Sequence, residues 1–313
     1  MSSKQTLVVF GATGTQGGSV IKTILAHPIA SQRFSIRAVT WDVSKPASKA
    51  LAEQGIDVVA ADLNDRDSLR AAIQGADAVF LDLEIEQGKN AVDIVKELGI
   101  KHLVFSSLTD CNKVSHGKYT HVLHFDGKAV IEEYIRSLSI PCTIVLLGIY
   151  MSFITSWFVP TPSVTASASS ASSYTVTLPV DPAGTKIPFI DAPSDMGNFV
   201  LPALISPSKY IGQTICAAEK FYTLDQLASE FAEVRGLSQD QVAVTQIDES
   251  SFKALLKERG MPEFLREDLY ENMRCFEEFG YFNGVEGLEQ NQPILGEGVR
   301  LTTWKDFVAK TEF

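Results

Sequence analysis

Cysteine is scarce: four stand in 313 residues, at positions 111, 142, 216 and 275, far apart and without C-x-x-C spacing. That pattern neither chelates zinc nor frames a disulfide-stapled fold, so no metal site is expected, and a reducing compartment is. Positive charge is also short. Lys and Arg number 27 against 38 Asp and Glu, a net charge of −11, which argues against nucleic acid, because phosphate backbones are gripped by clustered Lys and Arg. An acidic surface serves solubility and would equally suit a basic protein partner. Apolar runs of membrane-spanning length are missing, and Met1-Ser2-Ser3-Lys4-Gln5 leads straight into a strand pattern without a signal peptide. No membrane association is expected, and the cytoplasm, with the nucleus as a second location, is the expected compartment. No internal repeat is visible.

What is present is an opening stretch around which the chain is organised. Leu7-Val8-Val9-Phe10 runs into Gly11, Gly14 and Gly17, spaced G-x-x-G-x-x-G, and the apolar residues that follow recur at helical spacing. This reads as strand, tight turn and helix. Such a turn needs residues without Cβ where the backbone turns, where it approaches a pyrophosphate, and where helix packs on strand. The amide groups and positive dipole end of the helix beginning near Gln16 then face the phosphates of a dinucleotide.

The pattern continues in alternation. Helix is expected to about Ala26, strand over Ser35 to Thr40, helix near Lys45 to Gln54, strand at Asp57 to Ala60, and a helix after the carboxylates of Asp62-Leu63-Asn64-Asp65. Strand follows at Ala78 to Leu81, helix at Asn90 to Leu98, strand at His102 to Phe105, helix at Phe125 to Leu138 and strand at Pro141 to Leu146. Six βα units predict an α/β fold, a Rossmann-type doubly wound parallel sheet. Beyond Gly148 the rhythm changes to α+β. Tyr150, Phe153, Ile154, Trp157 and Phe158 share a helical face that either packs as core or lines an apolar pocket. Pro160 to Ser173 is small and polar and reads as a mobile loop, a spacer or a flap. Short strands follow at Ile187 to Ile190 and Thr214 to Ala217. Helices are expected at Ser194 to Leu204, Leu224 to Val234, Ser250 to Arg259 and Glu263 to Phe279. The expected division is a nucleotide-binding domain over 1–150, with strands returning from about 187–217, and a smaller substrate domain over 151–313.

Several stretches together resemble one family. Gln16-Gly17-Gly18-Ser19-Val20 in the glycine loop, Arg37-Ala38-Val39-Thr40, Gly88-Lys89, His124-Phe125-Asp126-Gly127-Lys128 with Glu132-Glu133-Tyr134, and Ile187-Pro188-Phe189-Ile190-Asp191 with Asp195-Met196-Gly197 are similar to the NmrA-like family, a branch of the atypical short-chain dehydrogenases. The resemblance implies NAD(P) in a cleft between a Rossmann domain and a smaller C-terminal domain. NADP(H) is the expected cofactor and NAD(H) the alternative. It also implies one of several activities. Family members include redox-sensing regulators, reductases, and catalysts of fungal secondary metabolism, among them imine and ring-forming steps of alkaloid pathways.

The resemblance carries over residue by residue. Lys128 matches a lysine that reaches the nicotinamide ribose and, in reductases, takes part in proton transfer. His124 stands where ordinary short-chain dehydrogenases have the tyrosine of Tyr-x-x-x-Lys, so it is a candidate proton shuttle or a structural cap. Trp41 replaces the arginine with which sensor members pair the 2′-phosphate; Lys45 and Arg37 are expected to compensate in part, and Asp42 to suit an unphosphorylated ribose. The segment Leu81 to Lys89 is shorter than in sensors and leaves a wider cleft, where Asp82 or Glu84 could face a substrate. Tyr119 is a further candidate donor, and Ser106-Ser107 ends the fifth strand where short-chain dehydrogenases hold a catalytic serine. The expected cofactor set is Gly11, Thr13, Gly14, Thr15, Gln16, Arg37, Trp41, Lys45, Asp62, Leu63, Lys89, Lys128 and Tyr150. Tyr150, Phe153 and Trp157 are the expected substrate contacts. The leading expectation is an oxidoreductase acting on a bulky, partly aromatic small molecule by C=O or C=N reduction, or by iminium cyclisation with the cofactor bound. The alternative is a non-enzymatic NAD(P)-sensing regulator that binds a protein partner.

Overall fold

In a computed structural model the described residues are 3–161, 173–282, 288–289, 294–296 and 298–312. Strands β1 (Gln5–Val9), β2 (Phe34–Thr40), β3 (Asp57–Ala60), β4 (Ala78–Leu81), β5 (His102–Ser107) and β6 (Cys142–Leu147) join the strand Thr214–Ala217 in one seven-stranded sheet. Thr214–Ala217 lies at one edge, followed by β6, β5, β4, β1, β2 and β3, and every neighbouring pair is parallel. The chain therefore builds outward from β1 in one direction, then returns to build in the other from β4. Above the carboxyl ends of β1 and β4 the connections part, and a crevice opens there.

Buried strands read as continuous apolar runs because both faces are covered. In β1, Leu7 and Val9 pack on one side with Val20, Ile21 and Ile24 of helix α1 (Thr15–Ala26) and with Met196, Phe199 and Val200 of the helix Ala192–Ile205. Val8 and the following Phe10 face the opposite cluster. That second cluster extends into the C-terminal half through Phe231, Phe252, Phe276 and Trp304, so residues on both sides of position 150 share one core. Phe125, Phe276 and Tyr281 form an aromatic triangle within it, with ring centroids 5.4, 5.7 and 4.5 Å apart.

The later strands depart from expectation. Of those expected to return, only Thr214–Ala217 joins the large sheet. Ile187–Ile190 pairs instead with Ile149–Tyr150 and Lys220–Tyr222 in a small mixed sheet. A third sheet of Val159–Thr161, Ser173–Leu178 and Val242–Gln246 was not expected, because its strands are short and only partly buried. Pro160, Thr161 and Ser173, read as loop, are strand residues; the remainder of that reading, 162–172, lies outside the described residues. Among the described residues no helix is long and apolar enough to cross a membrane.

Asp195, in the first turn of Ala192–Ile205, is 3% exposed and accepts the Thr302 N–H at 2.8 Å. Burial pushes its carboxyl up to about 6. The folded chain thus holds this proton more tightly than the unfolded chain, and stability is lost as pH rises through that range. Asp195→Asn keeps an acceptor for Thr302 and removes the charge. It should raise stability at pH 7.5 by roughly 1–3 kcal/mol and give no gain near pH 4, as thermal melts at the two pH values will show.

Candidate active site

The glycine loop fits the parts assigned to it. Gly11 turns the chain at φ +61, a left-handed conformation, and its carbonyl accepts the Gly14 N–H at 2.8 Å. Gly14 is the N-cap of α1, and no side chain caps that end, so the amides of the first turn are left for a ligand. A Cβ on Gly17 would stand 2.4 Å from the Gly11 carbonyl oxygen. The third glycine therefore lets α1 close on the end of β1.

Two cavities flank this amino end along the carboxyl edge of the sheet. The first, about 140 Å³, is lined by Phe10, Gly11, Thr13, Thr40, Trp41 and Leu63 among others. Trp41 follows β2 directly and is 73% exposed, and the Lys45 ammonium sits 4.2 Å from the ring centroid. Asp42 is turned away into its own loop: its Oδ1 accepts the Ser44 N–H at 2.8 Å and the Ser44 hydroxyl at 2.6 Å, which hold its pKa below the ordinary value.

The second cavity, about 240 Å³, is lined by Gln16, Ser106, Leu108, His124, Phe125, Lys128, Leu147, Gly148, Ile149, Tyr150, Phe153, Leu269, Asn272 and Tyr281. His124 and Lys128 lie four residues apart in the first turns of the helix Leu123–Ser137, so both face the same side. Lys128 is 8% exposed; its Nζ donates to Asp82 Oδ1 at 2.5 Å and lies 3.9 Å from Glu84 Oε1. His124 Nδ1 lies 2.6 Å from Asp268 Oδ1, and Asp268 Oδ2 accepts the Leu123 N–H at 2.9 Å. An Nδ1–H held in this way leaves Nε2 free for proton exchange. Burial and the nearby Asp82 charge push the Tyr150 phenol up to about 12, so it stays protonated at neutral pH.

Of the expected residues, Gly11, Thr13, Trp41 and Leu63 gather at the first cavity, with Lys45 over the Trp41 ring. Gln16, His124, Lys128, Tyr150 and Phe153 gather at the second, with Asp82 and Glu84 behind Lys128. Five stand elsewhere. Arg37 is engaged lower in the sheet by Asp57 and by the carbonyls of Ala72 and Gln74. Lys89 lies 5.7 Å from the Tyr134 ring centroid. Asp62 accepts the Asn64 N–H in a turn at 2.9 Å. The Tyr119 hydroxyl donates to Glu278 at 2.7 Å, within an ion cluster that includes Lys118 and Arg274, and burial raises its pKa. Trp157 is 1% exposed and stacks on Phe252 at 5.6 Å, because the helix of the aromatic stripe is only Met151–Thr155 and the chain then turns into the core.

Sequence reasoning missed Asp268, Leu269, Asn272 and Tyr281. All come from or just after the helix Glu263–Phe279, some 140 residues beyond His124. The one available signal is chemical: Asp268 and Asn272, four residues apart, lie on the same buried face as Met273 and Phe276 and are only 5% and 4% exposed.

Comparison with known proteins bears on the family and the fold. The model of the NmrA-like family matches residues 3–308. The chain is similar to the NmrA-like family domain-containing oxidoreductase FrzB of Cladobotryum sp, at 30% identity over 251 residues covering 74% of this chain and 73% of that protein. Its fold is similar to that of NmrA, a negative transcriptional regulator, with a TM-score of 0.77 at 21% identity over 98% of this chain and 95% of that one. NmrA has also been solved with NAD and with NADP. The NADPH complex of the quinone oxidoreductase QOR2 of Escherichia coli has a similar fold, with a TM-score of 0.74 at 23% identity over 97% and 98% of the two chains.

Proposed function

Because the chain belongs to the NmrA-like family, we propose that it binds NADP(H), with NAD(H) as the weaker alternative, and acts as an oxidoreductase on a small, partly aromatic molecule. The observation that carries this reading is the second cavity, where a buried Lys128–Asp82 pair and the Asp268-held His124 meet beside the uncapped end of α1. The residues present fit a dinucleotide. The first-turn amides of α1 receive its paired phosphates. Trp41 and Lys45 flank the first cavity at the adenosine end, and Asp42, engaged with Ser44, is withdrawn from a ribose hydroxyl. Lys128, fixed by Asp82, holds the nicotinamide ribose.

The nicotinamide, when bound, would supply a hydride to a C=O or C=N carbon of the substrate. His124 supplies the accompanying proton from Nε2. Its half-exposed ring exchanges that proton with solvent, while Asp268 keeps Nδ1 occupied. Asp82 is committed to Lys128, which leaves Glu84, 71% exposed, as the carboxylate able to attend a cationic iminium in a redox-neutral cyclisation.

Calorimetric titration with NADPH, NADP, NADH and NAD, followed by turnover of a carbonyl and imine panel, tests the reading. No heat with any nucleotide would overturn it, and binding without turnover would favour the regulator alternative. Trp41→Arg should raise the preference for NADP over NAD by at least tenfold, because a charge-assisted bond to the 2′-phosphate contributes roughly 1.5–3 kcal/mol. An unchanged ratio would place the 2′-phosphate away from position 41.

A further inference from the structure

Four buried side-chain polar atoms lack a hydrogen-bond partner among the described residues, and three of them belong to residues lining the second cavity: Gln16 Oε1, Ser106 Oγ and Asn272 Nδ2. An orphaned buried polar group costs about 1–3 kcal/mol, whereas a leucine at 272 would fill similar space without that cost. Gln16 stands in the first turn of α1 and Ser106 near the carboxyl end of β5. Asn272 lines the same cavity from the helix Glu263–Phe279, one turn beyond Asp268 and next to Leu269.

The rest of the cavity restricts what could satisfy that amide. Phe125, Phe153, Leu108 and Leu269 make its surface apolar and partly aromatic. The lysine in its lining is already paired at 2.5 Å with Asp82, and His124 is held by Asp268. No unpaired cation is left among the lining residues to receive a carboxylate or phosphate, and burying an unpaired anion is costly. We infer that Asn272 is a specificity-determining residue, donating from Nδ2 to the carbonyl oxygen of a flat aromatic ligand without an anionic group seated in this cavity. The inference deepens the oxidoreductase reading and rests on its choice of cavity, but not on turnover.

A matched pair of bicyclic probes tests it: 1-indanone and indane, which share a shape and differ in one carbonyl. Their affinities are measured calorimetrically for the wild-type chain, Asn272→Leu and Asn272→Asp, with thermal melts as a check on folding. The wild-type chain should prefer 1-indanone roughly tenfold, the worth of one buried donor. Asn272→Leu should melt no lower than wild type and bind the two probes alike. Asn272→Asp lacks the donor and should lose the preference too, which keeps the test decisive if the leucine variant does not fold. Equal affinities in the wild type, no binding of either probe, or a preference that survives either substitution would overturn the inference. Nucleotide titration of the same proteins separates the two claims. A chain that takes no nucleotide yet prefers 1-indanone refutes the oxidoreductase reading alone, and one that takes nucleotide but does not distinguish the probes refutes this inference alone.

Discussion

Gly17→Ala should destabilise the chain by about 1–3 kcal/mol and weaken nucleotide binding at least tenfold. The added Cβ would lie 2.4 Å from the Gly11 carbonyl oxygen and 2.8 Å from that of Phe10. Both belong to backbone fixed by the turn and the sheet, so the helix has to retreat. Its first-turn amides retreat with it, and the grip on the phosphates is lost together with packing. Gly18→Ala is the control. Its Cβ would meet Ala12 O at an ordinary 3.6 Å, and alanine is the better helix residue, so a gain of about 0.5–1 kcal/mol is expected. Melting temperatures of the two neighbours should move in opposite directions, and the nucleotide isotherm should weaken only in Gly17→Ala; equal behaviour would mean that α1 does not close on β1 through position 17.

Lys128→Met should reduce turnover by two orders of magnitude or more and weaken binding at the nicotinamide end. The Asp82 carboxylate, a quarter exposed, would lose its 2.5 Å partner, and the cation proposed to orient the ribose would be gone. Asp82→Asn should cost roughly 1–3 kcal/mol of stability, because it leaves a nearly buried ammonium without its close counter-charge. The double variant Asp82→Asn, Lys128→Met removes both charges. It should recover most of the stability while remaining inactive, a coupling that a double-mutant cycle measures directly. Additive stability losses would show that the pair is not an interacting unit. Undiminished turnover in Lys128→Met would remove the lysine from the reaction.

The sheet was legible because each of its strands is a short apolar run closed by a turn or helix signal, and the six βα units follow one another without interruption. The glycine loop was legible because a positive φ at Gly11 and a backbone approach at Gly17 leave chemistry no other residue type to use. Lys128 and His124 could be placed together because helical spacing is local. Asp268 and Asn272 could not be placed beside them, since nothing in a helix at 263–279 states which strand edge it will cover. Tyr119 misled for the same reason: its partner Glu278 lies 159 residues away. Arg37 looked available until β3 brought Asp57 beside it. The aromatic stripe was half legible. Tyr150 and Phe153 reach the cavity, but the helix ends at Thr155, and Trp157 and Phe158 follow the chain into the core.

The far wall of the second cavity is fastened to its floor at Tyr281, whose buried hydroxyl donates to the Leu147 carbonyl at 2.9 Å, and whose own carbonyl accepts from Thr109. On the proposed reading, part of the small-molecule pocket thus comes from a segment after position 260, while the glycine loop at the dinucleotide site lies before position 20. A substitution on that inward helical face can therefore reshape the pocket without touching the glycine loop.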